Sequence, residues 1–141
     1  LRLAYPDPEQ NKILAGLVQE RLGGGLSDCQ CLAGLDDDEI VAVVCFFNYR
    51  WPNIEVGFFS DSPRWALNRA LVAEALSYPF VQLNCQRITA LVEKRNKPAR
   101  KMVQRLGFIE EGKLRKASPN GDMFIYGLLP GDFRLKQWKN S

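Results

Sequence analysis

Between Glu9 and Leu22 the apolar residues Ile13, Leu14, Leu17, Val18 and Leu22 fall on one face at helical spacing, with Gln10, Lys12, Gln19 and Glu20 elsewhere. Asp7-Pro8 supplies a start signal and Gly23-Gly24-Gly25 a stop. The pattern then shortens to strand length. Cys29 to Leu35 reads as a strand, Asp36-Asp37-Asp38 as a turn, Glu39 to Phe47 as a buried β-branched strand, Asn48 to Asn53 as a turn, and Ile54 to Ser60 as a third strand. Asp61-Ser62-Pro63 opens a second helix, Arg64 to Ser77, with Ala66, Leu67, Ala70, Leu71, Ala73 and Leu76 inward and Tyr78-Pro79 as its end. Arg87 to Glu93 has few polar positions and predicts a central strand. Asn96 caps a helix running through Arg105, with Met102, Val103 and Leu106 inward and Gly107 as its terminator. Phe108 to Arg115 and Asp122 to Leu129 are strands joined by the turn Ser-Pro-Asn-Gly.

This order, a meander followed by a βαβ unit, predicts an α/β (α+β) domain: one mixed sheet with helices on its faces. At 141 residues the chain is expected to form one domain, residues 1–141, with one sizeable core. No apolar run approaches the roughly 20 residues of a membrane helix.

Composition narrows the chemistry. The sequence has no histidine, which removes Ser-His-Asp and Cys-His catalysis and His-ligated metals. The net charge of +3 is mild. Arg87 to Lys116, however, holds ten Lys and Arg against three acidic residues, which suits either a polyanion or a solvated helix face. Cys29 and Cys31 resemble half a metal site, but zinc wants four ligands, and Cys45 and Cys85 lie in apolar runs. No metal is expected, and reduced, cytoplasmic thiols are the simpler account. The strand-to-helix junction from Phe58 to Ala70 could hold a diphosphate at a helix N-terminus, with Arg64 and Arg69 beside it. On local physics alone, an ordinary βα connection with surface arginines is the simpler reading of the same residues.

Asn96-Lys97-Pro98-Ala99, the helix after it, Leu106-Gly107-Phe108, Glu111-Gly112 and Arg115 resemble the C-terminal half of the GNAT acetyltransferases, in the form of the ribosomal-protein and N-terminal acetylating branch. The order of elements is similar over nearly the whole chain. Residues 61–66, 78–80 and 85–90 look like small phage-encoded members. The resemblance implies a GNAT-like, mostly antiparallel twisted sheet with a central βαβ unit that binds acetyl-CoA. It implies cofactor contacts from Phe58, Phe59, Ser60, Arg64, Trp65, Ala66, Leu67, Asn68 and Arg69 at the junction, and from Asn96 and Arg100 on the next helix. The family's phosphate loop carries glycines where this chain has Ala66 and Asn68. Many relatives place a Tyr, the acid for the departing thiolate, where this chain has Val103.

The reaction this implies is direct attack of a primary amine, on a protein, a peptide or a small molecule, on the thioester. A lysine-like amine is almost wholly protonated at pH 7, a cost of roughly 4 kcal/mol, and an α-amine needs much less help. Glu55, on the strand that lines the cofactor in the family, is the candidate base, with an outward-facing structural role as the alternative. Backbone N–H groups near Phe58 and Phe59 would stabilise the oxyanion. Tyr126 and Ser118 are weaker acid candidates, and apolar neighbours disqualify Cys45 as a nucleophile. Two other classes stay in view: a non-catalytic CoA-binding protein with a GNAT fold, and a nucleic-acid partner using the basic stretch. The resemblance admits a homodimer and calls for no membrane.

Overall fold

The computed structural model describes residues 1–22, 29–65 and 67–133. Strand β1 (Arg2–Ala4) leads into helix α1 (Pro8–Leu22), then the meander β2 (Gln30–Asp36), β3 (Glu39–Arg50) and β4 (Asn53–Ser60). A single 3-10 turn at Pro63–Trp65 precedes helix α2 (Arg69–Ser77). Strand β5 (Arg87–Glu93), helix α3 (Lys97–Leu106) and the hairpin β6 (Ile109–Ser118) and β7 (Gly121–Leu128) follow. The seven strands form one sheet in the order β1-β2-β3-β4-β5-β7-β6, in which only β4 and β5 are parallel. The expected mixed, mostly antiparallel sheet with a central βαβ unit is the observed one. Strand β1, only three residues long, carries no pattern of its own and was not anticipated.

Helices cover both faces. Leu71 and Val72 of α2 and Val103 and Leu106 of α3 join the larger core with Phe46, Ile54, Ile88 and Leu128. Ala15 and Val18 of α1 join a smaller core with Cys31, Val43 and Cys45.

Capping explains where the helices begin. Asp7 accepts from the Gln10 N–H at 2.8 Å, and Asn96 from the Ala99 N–H at 3.3 Å, both as expected. Helix α2 departs from expectation. It starts at Arg69, because Asn68 accepts from the Leu71 N–H at 3.0 Å and out-competes the Ser62-Pro63 signal. Its buried stripe is therefore Leu71 and Val72, with Ala70 and Ala73 exposed. Tyr78-Pro79 does not end it, since the chain continues as a wide helical turn to Gln82, closed by the Leu83 N–H on the Tyr78 carbonyl at 3.0 Å. Pro79 has no N–H to continue the tighter ladder.

Helix α1 is rotated from the face its large apolar residues select. Ile13 and Leu17 are 68% and 54% exposed. The inward stripe is Asn11, Leu14, Ala15 and Val18, because the Asn11 amide clamps β2, donating to the Cys29 carbonyl at 2.8 Å and accepting from the Cys31 N–H at 2.7 Å. The glycine stop at residues 23–25 lies outside the described residues. Strand β6 runs longer than its pattern suggested, to Ser118, and β7 is shifted one residue earlier, Gly121–Leu128, around a turn where Gly121 takes φ 127°.

Candidate active site

The parallel ladder between β4 and β5 is short. Its rungs pair Asn53 with Arg87, Ile54 with Ile88 and Glu55 with Thr89, after which both strands run on apart. A slot of about 360 Å³ opens there, walled by Val56, Phe58 and Val92, by Ala75 of α2 and by Met102 of α3. Phe59, Leu91 and Met123, whose side chains project from the opposite face of the sheet, also line it. The slot therefore passes through the sheet. The cap residue Asn96 of α3 and Leu71 in the first turn of α2, the helix that Asn68 caps, line the slot, and helix N-termini favour anionic ligand groups.

Strand register decides which backbone groups face the slot. The Asp61 N–H bonds the Val41 carbonyl, so on the alternation of an antiparallel pair Glu55, Gly57 and Phe59 direct their N–H and C=O toward β3. Val56, Phe58 and Ser60 direct theirs toward β5. The Glu55–Thr89 rung uses the Val56 N–H, which makes Phe58 the first residue whose N–H enters the gap. On β5, Leu91 and Glu93 face the gap in the same way. An apolar slot edged by strand amides and carbonyls that no longer pair across it fits an extended chain of amides ending in a thioester, which is the chemistry of the acetyl-CoA arm. Phe59 contributes its ring, and its N–H is directed at β3.

Glu55 lies on the α1 face of the sheet, across β4 and β5 from Thr89, with its carboxylate accepting from the Asn48 side-chain amide. Beside it runs a network that sequence reasoning missed. The Thr89 hydroxyl donates to Asn53 Oδ1 at 2.6 Å and accepts from Arg87 Nε at 2.9 Å, and Arg87 grips Glu111 with two bonds of 2.6 and 3.0 Å. The Arg87 guanidinium holds the Glu111 carboxyl below the usual carboxylate range. A Cβ on Gly127 would come within 2.5 Å of the Glu111 carboxylate and 2.6 Å of Arg87, so glycine lets this pair lie flat on β7. No local motif announces a pair 24 residues apart.

The other expected residues divide. Asn96 lines the slot while capping α3, and Asn68 and Arg69 form the start of α2. Ser60 is exposed and donates to the Ser62 carbonyl at 3.0 Å. Trp65 is buried in the core, and Leu67 packs against it. Arg64 stacks on the Trp65 ring at 4.1 Å with Asp36 3.6 Å away. Ala66 lies outside the described residues. Arg100 was expected to reach a phosphate, but its guanidinium bonds the Tyr126 hydroxyl at 3.1 Å and the Lys94 carbonyl at 3.2 Å and stacks over Phe124 at 4.3 Å. Helix periodicity places Arg100 one turn from Asn96 but does not show that the sheet below offers these partners. Tyr126 is fully buried with its hydroxyl 3.5 Å from Glu110. Ser118 and Val103 line the slot. A hydrogen bond to Cys29, with burial adding to it, pushes the Cys45 thiol pKa up.

Residues 4–108 match the sequence model of the acetyltransferase (GNAT) family. Among solved structures, the chain is similar to a variant of the spermidine N-acetyltransferase SpeG from Vibrio cholerae, with TM-score 0.76, 18% identity, and coverage of 97% of this chain and 99% of that one. It is also similar to Mycobacterium smegmatis RimJ in complex with CoA-disulfide, with TM-score 0.66, 23% identity, and coverage of 85% of this chain and 60% of that one. The ribosomal-protein-S5-alanine acetyltransferase from Vibrio fischeri gives TM-score 0.66 and 22% identity, covering 89% of this chain and 72% of that one. No curated protein matches the sequence. The family match spans α1 through α3 and with them both walls of the slot, and the chain belongs to the GNAT family, as an acetyl-CoA-dependent N-acetyltransferase.

Proposed function

We propose that the slot between β4 and β5 receives the acetyl-bearing arm of acetyl-CoA, and that the acceptor amine meets it from the α1 face, where Glu55 serves as base. The observation that carries this reading is the end of the parallel ladder at Glu55 and Thr89, which leaves the Phe58 N–H directed into the gap. Acetyl-CoA supplies an acetyl group activated as a thioester with a thiol as leaving group. The Phe58 N–H donates to the acyl oxygen, where negative charge develops, and acts without reorganisation because β3 fixes its strand. The start of α2, with Asn68 and Arg69, faces the phosphates, and Asn96 holds the arm's amide side. Glu55 takes the proton of the ammonium, directly or through water, while Asn48 fixes its carboxylate. With Val103 in the place of the relatives' Tyr, the thiolate leaves without that acid; free thiols ionise near pH 8.5, which makes this step affordable.

The acceptor class carried over is a primary amine. Among the similar structures one is named for spermidine and another for an alanine of a ribosomal protein, and both acceptors present an amine. Calorimetry with acetyl-CoA, followed by a CoA-release assay over α-amines, lysine-like amines and polyamines, tests the reading. Binding with release on at least one amine class is expected. Binding without release on any of them would favour a non-catalytic CoA-binding protein. Absence of binding, together with salt-dependent affinity for DNA or RNA, would favour the nucleic-acid reading.

A further inference from the structure

Three of the four cysteines meet beneath α1, away from the slot's apolar walls. Cys29, Cys31 and Cys45 are buried free thiols in the smaller core, and the Cys29 and Cys31 sulfurs are 4.0 Å apart. Cys45 lies directly opposite Cys31 across β2 and β3. The register that turns the Cys45 backbone toward β4 makes Cys31 and Cys45 a non-hydrogen-bonded pair, whose Cα atoms approach to about 4.5 Å, inside the span that a disulfide accepts. The Asn11 amide bridges the Cys29 carbonyl and the Cys31 N–H and so holds these two residues in place. Among the described residues, no set of His, Cys, Asp and Glu side chains has metal-binding geometry. Cys85 lies in the other core and serves as an internal comparison.

The three sulfurs are not equivalent. Hydrogen bonds from the Cys31 and Cys45 thiols pull the Cys29 pKa down, and donation to Cys29 together with burial pushes theirs up. Cys29 is also the most exposed of the three, at 7% against 0% for its neighbours.

We propose that Cys29, Cys31 and Cys45 form an oxidisable thiol site that reduces a hydroperoxide, with Cys29 as the attacking sulfur and Cys31 or Cys45 as the resolving one. In the first step the Cys29 thiolate attacks the peroxide, an S–O bond forms, the O–O bond breaks, and hydroxide leaves, taking up the proton that Cys29 had released. In the second step the thiol of Cys31 or Cys45 attacks the Cys29 sulfenic sulfur, the S–S bond forms, and water leaves; the remaining thiol then attacks the resolving sulfur, the first S–S bond breaks, and Cys29 leaves as a thiol, which moves the disulfide to the Cys31–Cys45 pair. Two thiols are oxidised, one peroxide is reduced, and two waters (alcohol and water for an organic peroxide) are produced. The sulfenic acid is short-lived because the resolving sulfurs are already in contact with Cys29.

The test treats the folded full chain with hydrogen peroxide and maps tryptic peptides without reduction. Residues 22–50 form one peptide carrying all three cysteines, and residues 70–87 form another carrying Cys85. The first peptide should lose about 2 Da, reversibly with dithiothreitol, while Cys85 remains open to alkylation. Cys29→Ser should slow that loss by about tenfold or more, and Cys85→Ser should leave it unchanged. A variant combining Cys31→Ser with Cys45→Ser, which keeps both hydrogen-bond donors to Cys29 but has no resolving sulfur, should accumulate a Cys29 sulfenic acid that dimedone traps. The wild-type map decides the matter should these core variants fail to fold. Oxidation of Cys85 as fast as the trio, gain of oxygen on residues 22–50 without loss of hydrogen, or a trio that stays reduced until the protein unfolds would each overturn the proposal.

Discussion

Glu55 and Phe58 divide the chemistry between a side chain on one face of the sheet and an amide in its plane. Glu55→Gln keeps the contact with Asn48 in shape but cannot accept a proton. With a lysine-like acceptor, kcat should fall about 10²-fold or more at pH 7, with acetyl-CoA affinity nearly unchanged. The loss should shrink as pH rises and more of the amine is already neutral. Parallel kcat/KM–pH profiles, offset less than about threefold throughout, would remove Glu55 from the reaction. Glu55 was legible as a candidate because the resemblance names its strand. The direction of the Phe58 and Phe59 amides was not, because it depends on the pairing of β3 with β4, which only the folded sheet defines.

Among the elements, α3 was read nearly to the residue because its signals agree: Asn96 at the cap, Pro98 in the first turn, and Gly107 at φ 111° closing it with its N–H on the Gln104 carbonyl. Helix α2 has two competing starts, and sequence alone did not rank Pro63 against Asn68. Asn68→Ala should therefore cost about 1 kcal/mol of stability in urea unfolding, whereas Ser62→Ala should cost a few tenths at most. Equal losses would return the start of the helix to Ser62. Arg64 and Arg69 should separate too. Arg64 is engaged with Asp36 and Trp65, so Arg64→Ala should change acetyl-CoA affinity less than about twofold. Arg69→Ala should weaken it by about 1 kcal/mol and flatten its salt dependence in titrations at two ionic strengths. Helix α1 shows why hydrophobicity alone chose the wrong face: a polar Asn11 and a small Ala15 bring it close to β2, and the larger Ile13 and Leu17 remain outside.

Over the whole molecule, the fold class and the order of the three helices and six longer strands along the chain followed from the alternation of the pattern, whereas the order of strands within the sheet and the through-sheet slot, which follows from the splaying of β4 and β5, did not. The Arg87–Glu111 pair, joining β5 to β6 across Gly127, is a property of the assembled sheet. Its pH dependence has a definite sign. Because Arg87 lowers the Glu111 pKa in the folded state, the pair's stabilisation is complete above the ordinary Glu range and is lost as pH falls through the lowered value. Both side chains are partly exposed, so the effect is modest, about 1 kcal/mol or less. Wild type and Glu111→Gln should differ by a constant amount above the ordinary Glu range and converge as pH falls below it through the lowered Glu111 value, in urea unfolding. A difference that persists undiminished in acid would assign the loss to packing.

The central claim is that acetyl-CoA pairs with the gap-facing edge of β4 and β5, and residue-resolved amide hydrogen exchange with and without acetyl-CoA tests it most directly. The Phe58 and Leu91 amides, directed into the slot, should exchange markedly more slowly with the ligand bound. The Gly57 and Phe59 amides, already directed to β3, should change little. Protection of Gly57 and Phe59 with Phe58 and Leu91 unaffected, or no protection on either strand despite saturation, would contradict the account.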